Sequence, residues 1–202
     1  MRILGIDPGS ERTGYGCVET DGRRHQLVTC GAISALTGDA FPQRLARIHR
    51  ELLAVLASCR PECVAVESVF HAVNARTALK LGHARGVAIL AAVEAGCTVV
   101  EYSPAEIKRA VVGYGRAEKH QVQQMVKLLL GLDKVPSPHD AADALAVAIC
   151  HLHSLPPAAL RAAAGTGARP ASRPSLGDGP GLGKRGAKPL RSWRQYRPPA
   201  SG

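Results

Sequence analysis

Short apolar runs alternate with amphipathic stretches along the first 155 residues of this chain, and most of the runs close on a turn signal. Arg2–Asp7 (RILGID) is a compact apolar run ended by an acid and a Pro-Gly turn, which predicts a buried strand. Thr13–Glu19 and His25–Ile33 are two further strand candidates, joined through the turn-like Asp21–Gly22, so the first three strands are expected to form a meander. Leu45, Ile48, Leu52, Val55 and Leu56 recur at helical spacing and predict a helix over Pro42–Ser58. Cys63–Glu67 is a second short apolar run that ends in an acid. Asn74–Glu94 reads as a long helix rich in small residues, and Cys97–Tyr102 as a strand. Ser103-Pro104-Ala105-Glu106 then opens a helix with a capping-box pattern and Pro at its first position. Another helix is expected from about Ala117 to Leu130. A last one begins near Ser137-Pro138-His139-Asp140, with Leu145, Ala148, Ile149 and Leu152 on one face. Elements in this order predict an α/β fold: a mixed sheet of five strands flanked by helices.

Charge divides the chain in two. Residues 1–160 hold 17 Lys/Arg against 15 Asp/Glu, whereas residues 161–202 hold 9 Lys/Arg and only Asp178 as an acid. The net charge of +10 is therefore mostly a property of the tail. Residues 156–202 also contain 8 of the 14 prolines and 8 of the 21 glycines. Such a stretch buries too little apolar surface to offset its chain entropy, so two regions are expected: a folded domain over 1–155 and a basic, disordered tail over 156–202. A basic tail suits a polyanion, or serves only to solubilise. Its end, RSWRQYRPP, interleaves Trp193 and Tyr196 with arginines, as contact with single-stranded or distorted DNA would use.

The six cysteines make no paired C-x-x-C spacing, and Cys59 and Cys63 lack the second ligand pair of a zinc site. No leader is visible in MRILGIDPGS, and no apolar run reaches the ~20 residues of a membrane span. A cytoplasmic protein without a membrane association is expected.

The acids carry the chemistry. Asp7 and Glu67 each close a short apolar strand, and open α/β sheets place ligand sites at the carboxyl ends of their strands. If the two strands are parallel neighbours, ~4.8 Å apart, the carboxylates converge and repel unless a proton or a hard cation neutralises them. Either acid alone reads better as a solvent-facing strand end. Asp140 and Asp143 stand three apart at the start of the last helix and so share a face. Asp140 also fits a capping box with Ser137, but Asp143 lies beside the apolar stretch ALAVAIC, where an unpaired carboxylate is costly. Four acids from three segments fit two-metal phosphodiester chemistry.

The strings LGIDPG, VESVF, NARTALKLGHARGV, VVGYGRAEK and DAADALAVAICH, in this order over residues 1–155, closely resemble the RuvC family of Holliday junction resolvases. The resemblance implies a ribonuclease-H-like fold and a homodimer that cuts four-way junction DNA by paired symmetric incisions, leaving 5′-phosphate and 3′-hydroxyl nicks in recombination and repair. It implies two Mg²⁺ ions per active site, replaceable by Mn²⁺, held by a catalytic and metal-binding quartet of Asp7, Glu67, Asp140 and Asp143. It further implies DNA contacts by Phe70 (an aromatic that stacks on an unpaired base), Lys108 and Lys119, and partners of the RuvA and RuvB branch-migration type. By their residue types alone these read as a core aromatic and two solvated lysines. His139 reads as a surface residue at the helix start. The small-residue helix Asn74–Glu94, with Gly82 and Gly86, is the expected dimer contact.

Two other readings compete. Asp7-Pro-Gly-Ser followed by Gly14 is similar to the first phosphate loop of actin-like sugar kinases, but those need two such domains and this chain has room for one. A catalytically dead junction-binding module would not need the intact acid quartet.

Overall fold

The structure is a computed structural model that describes residues 1–34, 38–68 and 74–165. Two compact units divide the chain, Met1–Gly167 and Ala168–Gly202, and every described residue lies in the first. Phe70, Trp193 and Tyr196 lie outside the described residues.

Five strands form one sheet: β1 (Arg2–Asp7), β2 (Arg12–Thr20), β3 (His25–Ser34), β4 (Cys63–Glu67) and β5 (Thr98–Tyr102), in the order β3-β2-β1-β4-β5. The first three make the expected antiparallel meander, with Asp7 opposite Gly14. β4 and β5 join in parallel, and Ile6 sits opposite Val66. The sheet is therefore mixed, as the element order requires. β4 and β5 each follow a helix, α1 (Phe41–Cys59) and α2 (Ala75–Glu94), because parallel neighbours need a crossover.

Alternation along the strands sorts the side chains into two cores. Leu4, Ile6, Val64 and Val66 face α1 and α2, where Leu52 and Ala88 are fully buried. Ile3, Cys63, Ala65 and Val100 face the other side. That layer is built by α3 (Pro104–Val112), α4 (Lys119–Leu129) and α5 (His139–Ser154). From Ala141 to Leu152 every residue of α5 is buried except Asp143. A helix so apolar all round must lie inside the molecule. Its Ala-rich sequence allows close approach: a Cβ on Gly5 of β1 would stand 1.9 Å from the Ala144 carbonyl oxygen, so only glycine lets α5 rest on the sheet backbone.

Two expectations need correction. Regular structure does not end at residue 155: Pro156 is followed by α6 (Pro157–Gly165), opened by proline at its first position and carried by alanines. The N-cap of α5 is Pro138, with no side-chain cap, so Ser137 and Asp140 form no capping box there. The Ser103–Glu106 capping box, in contrast, is present in full at α3. No helix among the described residues is long and apolar enough to cross a membrane.

Candidate active site

Strand alternation places Asp7 on the same face as Ile3 and Gly5, the face that α5 covers, and Glu67 on the same face as Cys63 and Ala65. With Ile6 opposite Val66 in the parallel pair, the two carboxylates leave the sheet side by side. The two carboxyls lie close enough for a mutual side-chain contact, which raises Asp7 and lowers Glu67. Burial pushes the Asp7 carboxyl up to about 8, helped by the charges of Glu67, Asp143 and Asp140. Glu67 is also raised on balance, by burial first; its contact with Asp7 and the charges of Lys119 and Lys108 pull the other way. Two neighbouring carboxyls that cannot both ionise comfortably share a proton.

α5 supplies the facing acids. Asp143, with a side chain 19% exposed, accepts from Lys119 Nζ at 2.5 Å. Partial burial pulls the Lys119 ammonium down, but this bond and the charges of Asp143, Asp7 and Asp140 together raise it. Lys119 is the first residue of α4, after a turn in which the backbone N–H of Glu118 donates to Gln121 Oε1. Asp140, in the first turn of α5, accepts from Arg12 Nη1 at 3.4 Å. Lys108, half-buried on α3, lies close enough to act on Glu67 electrostatically.

The structure thus brings together the four acids, Lys108 and Lys119. His139 is exposed at the first position of α5. Arg12 is the residue that reading the sequence missed. Its one signal was the two-residue period of β2, which sets it on the same face as Gly14.

Among the described residues no three His, Cys, Asp or Glu side chains are placed so that they could together hold a metal ion. The acids are instead compensated locally: one proton between Asp7 and Glu67, Lys119 on Asp143, and Arg12 on Asp140. The donor set nevertheless fits a hard divalent cation, because all four donors are carboxylates. Asp7 and Glu67 are raised first by burial and then by the charges of neighbouring acids, a cost to their ionised forms that a cation would offset.

Known proteins resemble the chain over its folded domain. The profile of the family Crossover junction endodeoxyribonuclease RuvC matches residues 3–151. The RuvC of Koribacter versatilis is 56% identical over 155 residues, 76% of this chain and 93% of that protein. That of Citrifermentans bemidjiense is 57% identical over 154 residues, with the same coverage of each. The RuvC structure of Thermus thermophilus superposes with a TM-score of 0.70 at 38% identity, over 76% of this chain and 94% of that one. A second Thermus structure, in complex with a Holliday junction substrate, gives 0.69 at 36% identity, with the same coverage. The yeast mitochondrial Holliday junction resolvase shares the fold, with a TM-score of 0.54 at 14% identity over 80% of this chain and 82% of that one. The chain belongs to the RuvC family of crossover junction endodeoxyribonucleases, enzymes of ribonuclease-H-like fold that resolve Holliday junctions and depend in general on divalent metal.

Proposed function

We propose that this protein binds four-way junction DNA and cuts it with Mg²⁺, two ions per site, through Asp7, Glu67, Asp140 and Asp143. The observation that carries the reading is the pairing of Asp7 and Glu67 on adjacent parallel strand ends, opposite the acids of α5. When bound, the ions supply a nucleophile at neutral pH and neutralise charge on the phosphodiester, chemistry for which Mn²⁺ can substitute. The residues of this chain do the rest. Asp7 and Glu67 give up their shared proton on loading, Lys119 orients Asp143, and Lys108 and Lys119 offset phosphate charge.

The second proposal is a homodimer through α2. Its solvent side carries Leu79, Leu90 and Val93, exposed by 65%, 50% and 58%, in line with Gly82 and Gly86, where an added Cβ would meet nothing within 4 Å. A stripe of large apolar residues around two glycines suits a two-fold helix contact. Phe70 stacking at the junction centre, DNA contact by the tail, a place in the cytoplasm and engagement of branch-migration partners of the RuvA and RuvB type follow from family membership and composition alone. The deciding experiment is incision of a synthetic mobile four-way junction with Mg²⁺ or with EDTA. Cleavage with Mg²⁺ only is the expected result, and cleavage in EDTA would end the metal reading.

A further inference from the structure

Arg12 opens β2 two residues ahead of Gly14, and the strand period puts both on the face that α5 covers. At Gly14 the two elements touch through backbone: a Cβ there would lie 2.0 Å from the carbonyl oxygen of Asp140. The long Arg12 side chain is thereby laid across the first turn of α5, where Nη1 meets Asp140 Oδ2 at 3.4 Å. Its side chain is 53% exposed and that of Asp140 28%. An exposed pair of this kind is weak, so a better partner for either group readily breaks it.

Both better partners belong to the reaction. A divalent cation outcompetes a guanidinium for a carboxylate and then repels it, and the phosphate of bound DNA accepts guanidinium hydrogen bonds well. We propose that Arg12 is an exchange residue: it holds Asp140 until a divalent cation arrives, then turns to a DNA phosphate, so that cation and DNA bind cooperatively through it. The inference rests on the acid-quartet reading above.

The test compares the full-length protein with Arg12→Ala, using Ca²⁺ as the probe cation and an intact four-way junction checked on denaturing gels. Calorimetry without DNA should show Ca²⁺ bound about two- to five-fold more tightly by the variant, the scale of one lost exposed pair. The salt dependence of junction binding should be alike for both proteins in EDTA. In Ca²⁺ the wild-type slope should be steeper by about one unit, because one more phosphate contact is made. A slope lowered equally in EDTA and Ca²⁺ overturns the exchange, since Arg12 would then always sit on DNA. Unchanged slopes and unchanged Ca²⁺ affinity overturn it as well. A wild-type protein that binds no Ca²⁺ brings down the metal reading and this inference together. Ca²⁺ binding that Arg12→Ala leaves unaltered removes the inference alone.

Discussion

Gly14 and Asp140 meet through their backbones, and this contact sets the depth at which α5 carries its acids over the sheet. Any side chain at residue 14 must push α5 away or displace β2, since the clashing atom is a carbonyl oxygen and not a flexible tip. Gly14→Ala should destabilise the domain by about 1–3 kcal/mol, the usual cost of overpacking. It should also reduce incision by far more than the unfolded fraction explains, because Asp140 and Asp143 move with the helix. Thermal denaturation beside a junction-cleavage assay measures both, and a variant that melts and cuts like wild type would refute this account of the packing.

The acid quartet has a pH signature. The Asp7 carboxyl is raised in the fold from 3.8 to about 8, so the folded chain holds a proton that the unfolded chain has already lost in that range. Stability contributed by this proton is complete below about pH 4 and is lost as pH climbs towards 8. In EDTA the melting temperature should therefore fall across that window. Asp7→Asn, which cannot ionise, should flatten the fall, and Mg²⁺ should restore wild-type stability at pH 8. The same variant, and Glu67→Gln, Asp140→Asn and Asp143→Asn, should abolish incision while leaving junction binding largely intact. Full activity in Asp7→Asn would contradict the proposed role.

Those acids were legible in the sequence for a physical reason. Asp7 and Glu67 end short apolar strands, and once the strands are parallel neighbours their convergence follows from a ~4.8 Å spacing. Asp143 stood out because a carboxylate inside an otherwise apolar helix needs a partner; the structure shows Lys119 in that place. Arg12 was not legible, since nothing local links residue 12 to residue 140. Their contact exists only after Gly14 has let α5 settle on β2. α6 was obscured differently, because the composition of the whole tail hid a proline-started, alanine-rich turn sequence at its beginning.

The two lysines should separate from each other by their surroundings. Lys119 is bonded to Asp143, whereas Lys108 acts on Glu67 only through its field. Each Ala variant should flatten the salt dependence of junction binding by about one unit if the lysine contacts phosphate. Lys119→Ala should additionally raise the Mg²⁺ requirement or slow cleavage at saturating DNA, because it leaves Asp143 without its partner. Single-turnover rates across a Mg²⁺ series distinguish the two, and unchanged slopes with unchanged rates would reduce both to surface lysines.

Symmetry is the remaining expectation. One acid quartet can cut one strand, but resolving a four-way junction takes two matched incisions across its centre. An isologous dimer presents identical sites to two strands of like polarity, because a two-fold interface repeats the same patch on both subunits. The patch proposed for this role is the outer face of α2, where Leu79, Leu90 and Val93 are exposed around Gly82 and Gly86. Because a Cβ at Gly86 would meet nothing within the protomer, Gly86→Glu adds a charge to that face without clashing inside the fold. The variant should remain folded, sediment as a monomer at concentrations where wild type is a dimer, and nick a cruciform plasmid to open circles. Wild type should give linear product within one binding event. A wild-type monomer that still yields linear product in that way, or a Gly86→Glu protein that remains dimeric, would place the interface elsewhere or remove the need for one.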